Sequence, residues 1–321
     1  MFKKTQKRIY ATLMTITAVL IVLIITPSLI AFTGMFYNAF RTTARNRLDR
    51  SLSSCRIFID SVMSTTDNLA YNTAILETVK GERTGSITSI LDDTCTYSLS
   101  INAITVYSAD GKIYTSSGVI NPPTIDDLRQ IQDLAEFIDD GEAADYVSLR
   151  TSQIIKVYDN APYDENSGIV SCCRKIYDTS GEVAGYIFSD IFPETLFGYF
   201  NYADSNLKDC IAMITFSGGY FSSENSYATE NYLTATANSI RGNRLIVSST
   251  RNFYGGSVRL AVSVSPLYGS IALISCILLL CGSALMVLTH FIAKKNALRV
   301  AGKLDTLLIK MQTSTERFTE N

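Results

Sequence analysis

Two apolar runs without a single charge constrain this chain more than any other feature. Residues 9–32 (IYATLMTITAVLIVLIITPSLIAF) run for 24 positions and residues 268–293 (YGSIALISCILLLCGSALMVLTHFIA) for 26, counting His290 as neutral. As a helix, each reaches across a hydrocarbon core of roughly 30 Å. The first run follows Lys3, Lys4, Lys7 and Arg8, as a secretory signal also would. It is longer than a normal signal core, however, and no A-x-A-like site follows it. Buried core helices are shorter. Both runs are expected to be transmembrane helices, with a basic start over 1–8 and a tail over 294–321.

The charges divide by segment. Four basic and no acidic residues precede the first run, residues 41–267 hold 18 basic and 27 acidic, and six basic and three acidic follow the second run. The total of −2 conceals segments of +4, −9 and +3. Basic flanks stay on the cytoplasmic side. This predicts a two-pass protein of the cell membrane with both termini cytoplasmic, residues 33–266 extracellular, and membrane lipid as one partner. Arg41, Arg45, Arg47 and Arg50 lie on the far side of the first run, but long translocated domains depend little on loop charge. No net positive charge favours nucleic acid, and an apolar content of 47% excludes disorder.

Catalytic groups are scarce. The one His, His290, lies at the end of the second run, where it is expected to reach the headgroups, with a gating or proton role as the alternative. Histidine-paired metal or haem sites and Ser-His or Cys-His nucleophiles are thereby excluded from 33–266, and no nucleotide-binding glycine loop occurs. No catalytic residue, cofactor or metal is expected, and the chain is read as a non-enzyme. Cys172 and Cys173 are adjacent and so face opposite sides of a strand; the five cysteines outside the runs read as buried thiols rather than a disulfide framework.

Residues 41–79 alternate polar and apolar without Pro or Gly, which predicts one long helix. Leu48, Leu52, Cys55, Ile59, Val62, Thr66, Leu69 and Thr73 follow a 4-3-4-3 spacing. Such a seam packs either on its own domain or on the same helix of a second subunit, and a homodimer through Leu48, Leu52, Ile59, Val62 and Leu69 is the expectation carried forward. Hairpin signals follow. Residues 103–107 (AITVY) and 112–116 (KIYTS) flank a Ser-Ala-Asp-Gly turn, and 169–177 (IVSCCRKIY) and 182–191 (EVAGYIFSDI) flank Asp-Thr-Ser-Gly. A helical period covers 124–140. The order then repeats, with 212–216 (AMITF) before 220–223 and 245–249 (LIVSS) before 257–265 (SVRLAVSVS). Two related units, 80–200 and 205–266, each with an antiparallel sheet, are predicted.

The sequence of basic start, span, long helix, VYSADGKIYTSS, CCRKIYDTSGEVAGYIFSDI, a smaller hairpin set and a second span resembles the input half of bacterial sensors with a double Cache domain. It is most similar to the extracytoplasmic parts of Gram-positive sensor histidine kinases and related membrane-bound regulators, over about 1–293. The resemblance implies an α/β (α+β) fold: two PAS-like Cache units on a shared N-terminal helix, bracketed by two transmembrane helices. It places a small-molecule pocket in the membrane-distal unit. Amino-acid-binding members use a Tyr, an Arg followed by Trp, a second Tyr and an Asp at the end of the last strand. Tyr146, Arg150, Tyr163 and Asp190 occupy these places in order, but the chain has no Trp, which leaves the ligand's identity open. A carboxylate such as Asp190 suits an ammonium or hydroxyl group, and Arg150 or Arg174 a carboxylate.

The tail keeps Leu304, Leu308, Met311 and Phe318 on one helical face, like the first helix of a HAMP-type linker, and no phosphoacceptor His follows the second run. The output half is thus expected to be lost or to belong to another chain, a cytoplasmic kinase or regulator. The function expected is a sensor module that binds a small extracellular solute and passes a conformational signal across the membrane. The alternative is a membrane adaptor or envelope assembly protein whose extracellular domain binds another protein.

Overall fold

The computed structural model describes residues 2–83, 85–98, 101–139, 142–151, 168–200, 209–216, 219–224 and 227–319, with residues 2, 3, 5, 150, 151, 227, 228, 308 and 312–319 as backbone only. The chain opens with helices α1 (Phe2–Ala70), α2 (Thr73–Val79) and α3 (Thr88–Tyr97). A first α+β segment follows: β1 (Ala103–Ser108), β2 (Ile113–Thr115), α4 (Ile125–Arg129), α5 (Gln132–Asp139), β3 (Asp145–Thr151), β4 (Gly168–Tyr177), β5 (Val183–Ile191) and α6 (Pro193–Gly198). The second contains β6 (Cys210–Phe216), β7 (Gly219–Ser222), α7 (Tyr227–Leu233), β8 (Ile240–Arg241), β9 (Arg244–Ser248) and β10 (Ser257–Ser263), before the terminal α8 (Ser265–Thr319). Two compact units result, Arg41–Val264 and the pair Met1–Phe40 with Ser265–Asn321.

Within Arg41–Val264 the strands form two five-stranded antiparallel sheets, β2-β1-β5-β4-β3 and β7-β6-β10-β9-β8. The two orders are the same. In each, a short hairpin supplies one edge, and the strand of the later hairpin crosses back to pair with the first strand of the earlier one, Val106 opposite Ile187 in one sheet and Leu260 opposite Ala212 in the other. The repeated hairpins of the sequence are therefore a repeated sheet topology. β3 was not marked by the sequence and supplies the edge of the first sheet, with Val147 opposite Cys172.

The helices depart from the sequence reading at their ends. The single helix expected over 41–79 is two, because Asn72 stops it: its side chain accepts a hydrogen bond from the Ala74 amide at 3.0 Å and caps α2. The period over 124–140 likewise splits into α4 and α5. Thr124 and Asp127 form a reciprocal capping box that starts α4.

The seam of α1 packs on its own domain. Leu48 and Ile59 are 0% exposed, Leu52 and Val62 2% and Leu69 6%, all within one chain. A side chain already removed from water has no area left to bury against a second subunit, so the expected dimer seam is corrected to an internal one. A second copy would have to meet the opposite, exposed face of the helix, which carries Asn46, Arg50, Ser53 and Ile57. Polar groups lock the seam in register. The Thr66 hydroxyl donates to Ser189 Oγ on β5 at 2.7 Å, Arg47 donates to the Phe200 carbonyl at 2.6 Å, and Arg41 to Asn238 Oδ1 at 3.0 Å.

The two sheets meet at their edges. A Cβ on Gly168, the first residue of β4, would stand 1.6 Å from Cε1 of Phe221 on β7, so only a glycine admits that ring. Phe221 is 2% exposed, and Leu149 of β3 reaches the backbone of Gly256 from the same side.

In the other unit, α1 and α8 run antiparallel. Tyr10 Oη and His290 Nδ1 are 2.7 Å apart, and a Cβ on Gly282 would lie 2.7 Å from Ile25 Cδ1. Small residues let membrane helices approach in this way. His290 is bonded to the neighbouring helix through Tyr10, which lies opposite it. Both helices are long and apolar enough to cross a membrane. Leu23, Ile24, Ile30, Leu280 and Phe291, each more than 60% exposed, present an apolar surface that lipid would cover.

Two substitutions test this architecture in the full chain. Leu52→Ala should lower unfolding stability by about 2–5 kcal/mol, as for other buried leucines, whereas Ile57→Ala on the exposed face should change it by about 0.5 kcal/mol or less. Gly168→Ala should lower the melting temperature markedly, and Phe221→Ala in the same chain should restore part of the loss by making room for the methyl group.

Candidate functional site

In the first sheet, β4 is buried on both sides, which hides the alternation that would otherwise reveal its faces. The register separates them. Thr66 of α1 bonds Ser189, so the residues on either side of it in β5, Phe188 and Asp190, face away from α1. Phe188 and Cys173 pack there with Tyr107 of β1 and with Leu134, Phe137 and Ile138 of α5. One step further along the same face, Ser148, Ser171, Asp190 and Ala103 lie side by side across β3, β4, β5 and β1. Beyond them Ala103 and Ile169 form a second apolar group with Val119 and Phe192.

A polar row is thus set between two apolar patches. Asp190 is 4% exposed and accepts a short hydrogen bond from the Ser171 hydroxyl. Ser148 is 1% exposed, and among the described residues its hydroxyl has no hydrogen-bond partner. A buried hydroxyl without a partner costs about 1–3 kcal/mol. Such a cost is recovered when a ligand supplies the missing bond, and a few polar groups in an apolar wall are what small-molecule sites use to orient their ligands.

Of the sequence candidates, Asp190 stands in this row. Tyr146 is on the same face two residues from Ser148, half-buried, its ring stacked on Phe137 at 5.8 Å. Burial, and then the nearby Asp133 carboxylate, push its pKa up to about 12, so it is a neutral donor at physiological pH. Arg150 lies opposite Ile169 in the ladder, while its side chain and all of Tyr163 fall outside the described residues.

Arg174 is a correction. It is one residue from Cys173 and therefore emerges on the other face, where it pairs with Asp67 of α1 at 2.8 Å and approaches Asp145 at 3.6 Å. It holds the helix and not a ligand in the Asp190 row, because neighbouring strand residues point to opposite faces.

The sequence reading missed Ser148, Ser171 and Lys175. Lys175 is 3% exposed at the far end of this face, with Nζ 5.1 Å from the centre of the Phe137 ring, and burial lowers its pKa. A lysine beside Arg174 in a strand of otherwise uncharged residues was the available signal. Among the described residues no group of three His, Cys, Asp or Glu side chains is placed to hold a metal ion. All seven cysteines are free, and burial raises the Cys55 pKa to about 12, which keeps that thiol protonated and unreactive.

The two faces make separable predictions. Arg174→Gln should cost about 1 kcal/mol or less of stability, since its partner Asp67 is partly solvated, and should leave any solute affinity unchanged. Asp190→Asn should do the reverse. Denaturant unfolding paired with ligand titration of each variant separates the two roles.

No family model matches the chain, and no curated protein matches it. Solved structures do. The extracellular domain vpHK1S-Z8, assigned to a histidine kinase, is similar with a TM-score of 0.52 at 12% identity, covering 73% of this chain and 98% of its own. The ligand-binding domain of the Pseudomonas fluorescens chemoreceptor CtaA, solved with L-isoleucine, is similar with a TM-score of 0.50 at 11% identity, covering 75% of this chain and 97% of its own. At such identities the likeness is one of fold. Residues 41–264, with two antiparallel sheets of the same order on one long helix, have the double Cache, PAS-like fold of extracytoplasmic sensor domains, in a chain with two candidate membrane-spanning helices.

Proposed function

We propose that the chain is a membrane-bound sensor module whose extracellular domain, residues 33–266, binds a small solute carrying an ammonium or hydroxyl group in the first unit, over the row Ser148–Ser171–Asp190. The observation that carries this reading is a row in which Ser171 separates the buried Asp190 carboxylate from a buried Ser148 hydroxyl that has no partner among the described residues, between two apolar patches on one sheet face. A carboxyl group set in an apolar wall is suited to hydrogen-bond an ammonium or hydroxyl group of a small ligand. Tyr146 serves as a neutral donor at the edge of the row, and Arg150 and Tyr163 complete the set by the family pattern. The chemoreceptor domain with the same fold holds L-isoleucine, an ammonium-bearing solute of the proposed class.

The route for a signal is α1. This helix is continuous from Phe2 to Ala70, so its apolar first half and its seam in the Cache units share one backbone. A ligand that favours one of two seam arrangements shifts them by its differential affinity, typically ~1–3 kcal/mol. The basic ends of both apolar runs support cytoplasmic termini, from which α8 would hand the shift to a kinase or regulator partner. The chain itself would act without catalysis.

Thermal-shift screening of the full chain against amino acids and small amines tests this. A stabilising solute is expected, and Asp190→Asn should weaken it about 10- to 100-fold, the worth of one charged hydrogen bond. A solute bound equally well by Asp190→Asn would remove Asp190 from the site. Silence across the whole library would sink the sensor reading.

A further inference from the structure

At the end of the helix pair that carries the N-terminus, α1 and α8 enclose a cleft of about 660 Å³. Ile9 and Leu13 from α1 and Val300 from α8 form its apolar walls, interrupted by Thr12 and Asn296. Three cations open onto it: Arg8 from one helix, Arg299 and Lys303 from the other. All three are exposed, and among the described residues none has a carboxylate partner. Asp305, the nearest acidic residue in sequence, does not line the cleft. Ala293, Ala297 and Ala301, each at most 2% exposed and four residues apart, form one small-residue face of α8.

We infer that this cleft binds the headgroup of an anionic phospholipid, its phosphate held by Arg8, Arg299 and Lys303 and its glycerol and upper acyl carbons lying on Ile9, Leu13 and Val300. The chemistry argues for lipid over a soluble anion. A phosphate alone would meet the cations but leave the apolar walls uncovered, whereas a phospholipid satisfies both at the depth where these helices pass from charged to apolar residues. Arginine is suited to phosphate through its planar fork, and here two arginines from different helices converge. A bound headgroup would tie α1 to α8 at this end, next to the Tyr10–His290 bond. The inference rests on the reading of both helices as membrane-spanning and is independent of the solute site.

The chain contains no Trp, so Ile9→Trp places a single fluorophore in the cleft. The full-length variant is reconstituted into phosphatidylcholine vesicles and into equimolar phosphatidylcholine and phosphatidylglycerol vesicles, with one lipid brominated at a time as a quencher. Brominated phosphatidylglycerol should quench more strongly than brominated phosphatidylcholine. Each Gln substitution at Arg8, Arg299 or Lys303 should reduce that preference about fivefold, while the pair Lys294→Gln and Lys295→Gln, outside the cleft, should leave most of it. Equal quenching by both lipids, or equal loss from the two sets of substitutions, would reduce the cleft to general basic attraction and overturn the inference. Relief of quenching by inorganic phosphate at constant ionic strength would identify a soluble anion and overturn it as well. Val300→Trp on the opposite wall repeats the measurement if Ile9→Trp does not fold. Failure of the chain to float with vesicles would instead overturn the membrane-spanning reading.

Discussion

The burial of one face of α1 is the interaction on which the rest of this structure depends. Each fully buried Leu or Ile contributes roughly 1.5–3 kcal/mol, so Leu48, Leu52, Ile59, Val62 and Leu69 together match the roughly 5–15 kcal/mol by which whole domains are stable. Neither sheet is closed without the helix. Ser189 of the first sheet bonds it at Thr66, and the loop after β9 is held by Arg56, which donates to the Asn252 carbonyl, and by Asp60, which accepts from the Tyr254 hydroxyl. One rigid element therefore sets the placement of both Cache units.

That arrangement has a consequence for the Asp190 row. β5 has α1 on one side and the candidate site on the other, with Ser189 and Asp190 as neighbours. In the proposed sensor, a displacement of Asp190 toward a ligand would move the strand that anchors Thr66. Packed cores have discrete arrangements and do not deform continuously, so a small local shift has a direct mechanical route to the helix. Arg174 and Asp67 add a second tie between β4 and α1.

Much of the fold is legible in the sequence, because the features concerned are local. The hairpins around Gly111 and Gly181 follow from turn residues between β-rich runs, and the repeated order of hairpins anticipated two sheets of one topology. Less of the site was legible. Asp190 stood out only through the resemblance of YIFSDI to a known pattern. Ser148 and Ser171 carried no signal, since two serines 23 positions apart become neighbours only through the β3–β4 register. Arg174 failed as a ligand candidate because a strand buried on both faces gives no alternation from which to read its side.

What the sequence determined by itself is what chain-local physics controls: two charge-free runs long enough to span a bilayer, the sign of the charge on each flank, a helical period within 41–79 and the positions of the turns. What only the tertiary structure decided is which surfaces meet. The period of α1 defines a seam but not its partner, and it is its own domain that covers it. The opposite faces of Asp190 and Arg174 and the convergence of Arg8 with Arg299 and Lys303 depend on contacts between distant residues. Periodicity fixes which side chains share a face, whereas the occupant of that face is selected by the free energy of the whole packed chain.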